Sequence, residues 1–413
     1  MAKATVQQAR HATGSRLGWL VALLALSILL NYVDRGALGI AAPKLTGELG
    51  LNATQFGIAV SAFSWTYAPL CLVMGWLCDR FCVYRVFALG LAIWAISTAL
   101  IGFVGGLGAL IALRIGLGIG EAVSFPGSSK IFAAQVPDEQ RGMANALVAA
   151  AIAFGPAVGS LAGGTILTLS GWRAIFWIFG LVTLLWLVPW LAITKPLLSG
   201  PFRQPSAGRL DLSKLFTNQT LWLMGAAHFL SNYGFYFLLF WMPQWLVKTM
   251  GYSIATMTAL TTLGFVVQGL AALGIGYWSD RRVAAGTDQG RLRRRLMIFG
   301  QLATAAAIGG IYLSRSPLEL GACLALAGIG TSQLSTNILA VGQIFAGPRA
   351  AGGWIGMQSA LGNIAGIVGP IGTGMIIDNF GGFGWAFALA AAMAALGALW
   401  WATVVPKIEQ VIV

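Results

Sequence analysis

The sequence predicts an all-α membrane protein with twelve transmembrane helices in two six-helix bundles. Three observations lead there. Of 413 residues, 58% are hydrophobic and only 9% are charged, against about 25% charged in soluble domains. Apolar runs of about 20 residues, long enough to cross a bilayer, recur twelve times. The basic residues gather between alternate runs: nineteen of the 25 fall on one side and four on the other, a strong positive-inside bias.

The first set of runs lies near 18–42, 56–78, 84–106, 108–133, 142–168 and 174–194, and forms an N-terminal bundle over 18–194. The second lies near 220–247, 257–278, 296–314, 318–344, 353–377 and 384–405, a C-terminal bundle over 220–405. Residues 1–17, with Lys3, Arg10 and Arg16, read as a cytoplasmic N-terminus. The run that follows is too long for a signal-peptide core and lacks a cleavage-like end, so it is expected to remain as the first span. Residues 195–219 form the most polar connector, with Gly200, Pro201, Pro205 and Gly208, and read as a cytoplasmic linker. Residues 406–413 form a cytoplasmic C-terminus.

This topology accounts for the net charge of +13. It leaves no continuous basic stripe with interleaved aromatics, so a nucleic-acid partner is not expected; contact with membrane lipids is. Cys71, Cys78, Cys82 and Cys323 all fall in or beside apolar runs, which implies no disulfide framework. Cys78 and Cys82 are one turn apart, but no histidine or second cysteine pair lies nearby, so neither a metal nor a cofactor is expected. No nucleophile, metal cluster or cofactor loop suggests an enzyme. A monomer in the plasma membrane is the simplest expectation, in bacteria the inner membrane.

The two halves echo one another. Gly75-Trp76-Leu77-Cys78-Asp79-Arg80 closes the second span, and Gly276-Tyr277-Trp278-Ser279-Asp280-Arg281 closes the eighth, 201 positions later. A parallel repeat of six-helix units is predicted.

Four ionisable residues interrupt apolar runs: Asp34 and Arg35 in the first, Arg114 and Glu121 in the fourth. A charge at mid-bilayer costs about 2.5–3.5 kcal/mol even on the lenient insertion scale, so these groups should face a cavity or each other. Arg114 and Glu121 are seven apart, so they differ by about 20° in azimuth and share one helix face two turns apart. Gly116, Gly118 and Gly120 between them thin the helix for close approach. An arginine fork matches a carboxylate through two hydrogen bonds. Desolvation disfavours a charged carboxyl, so Asp34 and Glu121 are candidates to carry protons, with Arg35 and Arg114 to bind an anion. Were an arginine to leave a carboxylate for the anion, that carboxylate would have to protonate, which is a physical basis for coupling. The bland alternative is a permanent Arg114–Glu121 or Arg35–Asp34 pair that staples helices. Residues 34 and 35 point about 100° apart, which makes them poor mutual partners.

The segment from Gly75 to Arg85 resembles the loop signature of the major facilitator superfamily: Gly75, Leu77, Asp79 and Arg80 match, Cys82 and Val83 depart, and Arg85 keeps a nearby positive charge. More specifically, Asn31-Tyr32-x-Asp34-Arg35, Arg114 with Gly116-x-Gly118-x-Gly120-Glu121-Ala122 and Phe125-Pro126, and Gly171-Trp172-Arg173 resemble the anion:cation symporter family of that superfamily. The resemblance covers essentially the whole chain. It implies proton-coupled uptake of a small organic anion such as a sugar acid, a hexonate or hexuronate, by alternating access. Gly75, Asp79, Arg80, Arg85, Asp280 and Arg281 would then act in gating. Tyr32 and Tyr67 would line the cavity with the arginines. In the seventh span Tyr236, Leu239, Trp241 and Pro243 match a family element, so Tyr236, or Tyr233 one turn away, would bond substrate. Ser335 and Asn337 in the tenth span, with Gln358 and Asn363 in the eleventh, would recognise its polar part, though the family often has asparagine where Gln358 stands.

Polar residues also glue membrane helices, and aromatics at helical spacing often merely pack. His228 reads as a lone, locally bonded histidine. The 16 tryptophans and 22 phenylalanines admit an aromatic or other monocarboxylate instead, although many should be interfacial anchors. Gly155-Pro156-x-x-Gly159, mirrored by Gly369-Pro370, resembles an antiporter signature and keeps a proton-driven antiporter or exporter open. A drug exporter should lack paired arginines in its cavity, and this chain has them.

Overall fold

The computed structural model describes residues 14–195 and 217–411. Most of the expected linker, and the side chains of Asp79 and Ser335, lie outside the described residues. The first half holds α1 (Gly14–Glu48), α2 (Ala53–Arg80), α3 (Val83–Ile101), α4 (Leu107–Glu121), α5 (Ser124–Gln135), α6 (Asp138–Ser170) and α7 (Trp172–Thr194). The second holds α8 (Gln219–Phe240), α9 (Met242–Lys248), α10 (Ile254–Ala284), α11 (Gln289–Leu313), α12 (Pro317–Thr336), α13 (Ile338–Asn363), α14 (Ala365–Asn379) and α15 (Gly384–Thr403). Among the described residues, ten stretches are long and apolar enough to cross a membrane. α2 and the α8–α9 pair take the second and seventh places, an arrangement consistent with twelve spans.

Several spans are broken, and proline explains two of the breaks. A proline has no N–H for the carbonyl four residues back. Pro126 therefore leaves Ala122 without its partner where α4 gives way to α5, and Pro243 does the same to Leu239 where α8 gives way to α9. The tenth and eleventh spans are joined by a turn inside α13 at Gly347, whose φ of 65° suits a residue without Cβ.

The lipid-facing surface is plain on α3. Leu89, Ile93, Ile96 and Leu100 recur on one helical face and are 65%, 43%, 49% and 44% exposed, an apolar stripe that water would not tolerate. The tryptophans divide. Trp19, Trp76 and Trp385 are exposed, whereas Trp94, Trp190, Trp241, Trp245, Trp354 and Trp401 are fully buried, so many serve packing and not anchoring.

Packing obeys the repeat. A Cβ on Gly118 of α4 would strike the Phe63 carbonyl and approach the Tyr67 amide of α2, and one on Gly328 of α12 would strike the Gly264 carbonyl and approach the Gln268 amide of α10. Gly120 meets Gly90 and Trp94 of α3 as Gly330 meets Gly300 and Thr304 of α11. Gly155 of α6 lies on Tyr32, and Gly369 of α14 lies on Tyr233. The 201-residue echo therefore extends to Asn31-Tyr32 and Asn232-Tyr233, and Gly118-Ile119-Gly120 recurs as Gly328-Ile329-Gly330.

The halves meet through α1 with α9, α2 with α14, and α6 with α10. Contact is closest at the end opposite the basic loops. Gly39 of α1 fits against the Leu239 carbonyl that Pro243 leaves free, Gly57 of α2 against the Pro370 carbonyl, and Gly374 of α14 against the Ala53 carbonyl. The Lys248 ammonium donates to Thr46 Oγ1 at 2.7 Å. The carboxylate of Asp378 accepts from the amides of Ala53 and Thr54 at 3.1 and 2.8 Å and from the Thr54 hydroxyl at 2.6 Å. Asn52 takes the Gln55 amide at 2.8 Å. The C-terminal half thus helps cap a helix of the N-terminal half, satisfying amides that α2 itself cannot. At the basic end a Cβ on Gly75, Gly274 or Gly276 would meet nothing within 4 Å among the described residues. Gly75, in the loop motif assigned to gating, therefore marks no close helix approach among the described residues.

A capping carboxylate contributes about 1–2 kcal/mol. Asp378→Ala should therefore shift the balance between conformations by roughly 5- to 30-fold. In a cysteine-free background carrying Ser64→Cys, an impermeant maleimide added at the less basic face should label the buried thiol correspondingly faster. Equal labelling with and without Asp378 would show that this contact does not hold the halves together.

Candidate functional site

The charged residues converge where α1, α2 and α4 meet. Glu121 is the last residue of α4 and fully buried, and Arg35 Nε donates to its Oε2 at 3.1 Å. The second carboxylate oxygen of Glu121 and Nη2 of Arg35 are buried with no hydrogen-bond partner among the described residues. The pair therefore keeps one acceptor and one donor in reserve. Three rings surround the guanidinium. Its carbon lies 4.4 Å from the Tyr67 ring centroid and 5.1 Å from each of Tyr32 and Phe63. Such contacts add about 0.5–2 kcal/mol each to holding a cation out of water.

Arg114 does not pair with Glu121 as the shared helix face allowed. It turns to α2 and donates to the carbonyls of Ala59 at 3.4 Å and Val60 at 3.0 Å, with its guanidinium 5.1 Å from the Phe63 ring. Asp34 lies apart from Arg35, as their divergence on the helix requires. Its Oδ2 accepts from the indole N–H of Trp94 at 2.5 Å and the hydroxyl of Thr98 at 3.2 Å. Neither stapling pair, Arg114–Glu121 or Arg35–Asp34, is formed. One carboxylate is held by a cation, the other by two neutral donors.

Of the residues expected from the C-terminal half, two join this site. The Tyr236 hydroxyl donates to Asn363 Oδ1 at 2.7 Å, and Gly366 fits between the Tyr236 ring and Ser64 of α2. Asn363 is the last residue of α13, at another helix break, and its amide donates to the Ser359 carbonyl at 2.8 Å. Others are held elsewhere. Tyr233 lies 3.3 Å from the Thr373 hydroxyl of α14. Gln358 is occupied by the Ile338 carbonyl and the Trp354 indole, both at 3.1 Å. Asn337 bonds Gln333 at 2.7 Å and Arg293 at 2.9 Å. His228 is buried against Gly362.

At the basic end, Asp280 pairs with Arg293 of α11 at 3.6 Å, within its own half. Arg281 stacks on Tyr277, and Arg80 and Arg85 are exposed. The antiporter-like Gly155 and Gly159 of α6 fit against Tyr32 and Val33 of α1, a packing role that needs no antiport chemistry.

Sequence reasoning missed Trp94, Thr98 and Phe63. In an apolar run these side chains read as packing, and no local signal marks them as partners of a buried charge. The only clue was positional: a carboxylate predicted in the membrane needs donors, and α3 had to supply them once α4 turned its arginine to α2.

Comparison with known proteins follows the same lines. The Major Facilitator Superfamily model matches residues 24–287 and 255–411. A probable sulfoacetate transporter of Cupriavidus necator is 26% identical over 403 residues, covering 92% of each chain. A hexuronate transporter of Bacillus subtilis is 26% identical over 389 residues, again covering 92% of each. Among solved structures, a bacterial homologue of the human lysosomal transporter Spinster, in an inward-facing and unoccupied conformation, superposes with a TM-score of 0.72 at 19% identity, covering 95% of each chain. These are transporters and not enzymes, and with its paired helical halves the chain belongs to the Major Facilitator Superfamily.

Proposed function

We propose that the chain is a proton-coupled symporter that takes up a small organic anion by alternating access. The observation that carries this reading is the buried Arg35–Glu121 pair with its unused donor and acceptor. A substrate carboxylate reaching Arg35 competes with Glu121 for the same fork. Once displaced, Glu121 is a lone carboxylate in a nearly dry site, which costs several kcal/mol. Taking up a proton removes that cost, so anion capture and protonation favour one another. Asp34, held by Trp94 and Thr98, offers a second protonation site whose donors do not depend on the substrate. Arg114 stays on its backbone carbonyls and balances charge behind the site.

The relatives support an anionic cargo: the names of two specify sulfoacetate and hexuronate. Two kinds of acid fit the Arg35 site, sugar acids rich in hydroxyls and monocarboxylates with an aromatic or alkyl body. Tyr236 and Asn363 would touch the part of the solute beyond its carboxylate, with Tyr32 and Tyr67 flanking the arginine. The positive-inside bias orients both termini to the cytoplasm, in a bacterial inner membrane. The tight end at Asp378 and Lys248 then faces outward, and the loops carrying Gly75, Asp79, Arg80, Arg85, Asp280 and Arg281 form the cytoplasmic gate.

Uptake of a panel of labelled organic acids into proteoliposomes should require an inward proton gradient for accumulation. Gradient-independent uptake of the best substrate would defeat the coupling. Glu121→Gln should keep exchange of anion for anion while losing net proton-driven accumulation, because the amide can neither release a proton nor compete as an anion. Unchanged accumulation would remove Glu121 from the coupling step. Arg35→Ala should weaken binding of that labelled acid by at least about 30-fold, the lower end of the 2–5 kcal/mol lost when one partner of a buried charge pair is removed. Near-normal affinity in a scintillation proximity assay would move the anion elsewhere.

A further inference from the structure

Asn31 lies on α1 one helical turn before Arg35, on the same face. It is fully buried, yet neither Nδ2 nor Oδ1 has a hydrogen-bond partner among the described residues. Its carboxamide faces the Glu121 carboxylate without completing a bond to it. The Glu121 oxygen that Arg35 leaves free is unpartnered as well. A buried amide with both ends unbonded is destabilising, and an apolar side chain of similar size would pack better there.

The repeat shows what this asparagine does where no charge is present. With the 201-residue offset of α1 onto α8, Asn31 corresponds to Asn232. With the 210-residue offset of α4 onto α12, set by the glycine contacts described above, Glu121 corresponds to Thr331. Each of these twins is satisfied without the other. Asn232 donates to the Gly362 carbonyl at 2.9 Å, beside the end of α13. The Thr331 hydroxyl donates to the Ala327 carbonyl at 2.8 Å. In the N-terminal half the asparagine is kept, no such structural bond is made, and its neighbour is a carboxylate.

Other groups near Glu121 are already engaged. Arg114 donates to α2 carbonyls, and Trp94 and Thr98 hold Asp34. Tyr32 and Tyr67 set their rings against the Arg35 guanidinium. A carboxamide offers what a carboxyl needs in either protonation state. Its N–H can donate to a carboxylate, and its carbonyl can accept the O–H of a protonated acid. The terminal torsion that exchanges the two is broad, so the backbone need not move.

We infer that Asn31 is a positioning residue for Glu121. When an anion takes Arg35, the carboxamide becomes the partner of the released carboxyl and holds it while it takes up a proton from solvent. With Arg35 and Glu121 paired, Asn31 is unbonded. Its bond therefore forms only in the anion-bound state and adds to affinity for the anion. The inference rests on the symport reading and supplies the group that receives Glu121.

A double-mutant cycle tests it by isothermal titration of the purified full chain. The probes are glucuronate, gluconate and sulfoacetate, and the cycle uses whichever binds the wild type most tightly. Asn31→Leu should weaken binding at least about fivefold, the lower end for a buried polar group left without its partner. In a Glu121→Gln background the same substitution should change affinity by less than about twofold. The neutral amide there surrenders no ion pair when the anion arrives, so its contact with Asn31 is the same in both states. A role in packing alone would weaken both backgrounds alike. Asn31→Ser, whose short hydroxyl bonds back to its own helix as Ser27 does to the Leu24 carbonyl, should repeat both results. That arm decides if the first variant does not fold. With binding weakened in the Arg35→Ala control, equal losses in the two backgrounds, or no loss in the wild-type background, would overturn the inference and leave the symport reading standing. Near-normal binding by Arg35→Ala, or no binding of any of the three acids by the folded wild type, would overturn the symport reading and the inference with it.

Discussion

Arg35 and Glu121 hold one another at 3.1 Å with side chains 10% and 0% exposed, inside a bundle whose outer surface is built for lipid. Neither group is tolerable there alone, because each unpaired buried charge costs several kcal/mol. Their neighbours follow from that constraint. Three aromatic rings screen the guanidinium, α4 ends at the carboxylate, and Pro126 makes the break that ends it. A pair so placed is stable only while intact, and the proposed function rests on that: a competing anion would leave Glu121 without its partner.

Helix breaks recur wherever the chain needs a polar group away from regular hydrogen bonding. Glu121 and Asn363 each end a helix segment, and the carbonyl that Pro243 frees on Leu239 accepts the close approach of Gly39. Non-helical backbone is tolerable at membrane depth only where protein or a cavity covers it. Discontinuous helices near the midplane are accordingly where transporters build their sites.

Much of this was legible in the sequence. Twelve apolar runs and the basic bias gave the architecture, with helix ends extended by a few residues because capped and basic turns continue past the apolar stretch. Asp34, Arg35, Arg114 and Glu121 were identifiable simply because charge is expensive in such runs. Which arginine meets which carboxylate was not legible. It depends on the rotation of α1, α2 and α4 about their axes, and seven-residue spacing on one helix favoured Arg114 for Glu121 when Arg35 takes it. Amides were equally opaque: Gln358 and Asn363 lie five residues apart in one span, yet one is locked to backbone and indole while the other faces Tyr236. The glycines were the better guide, because each one in contact marks where another backbone passes, and their pairing exposes a repeat that side-chain identity hides.

That repeat also bears on how the two functions divide. If both halves carried charge, each would need its own compensation in every conformation, and movement of one against the other would break ion pairs across the interface. Here the ionisable residues of the site stay on α1 and α4, which pack in the same half, while the contacts described across the halves are glycine on carbonyl, the Asp378 carboxylate on α2 amides and the Lys248 ammonium on the Thr46 hydroxyl. Rocking one half against the other then leaves the Arg35–Glu121 pair whole. In the proposed symport the pair would be opened by a solute and not by the motion, which would place the barrier to reorientation and the coupling of anion to proton in separate sets of residues.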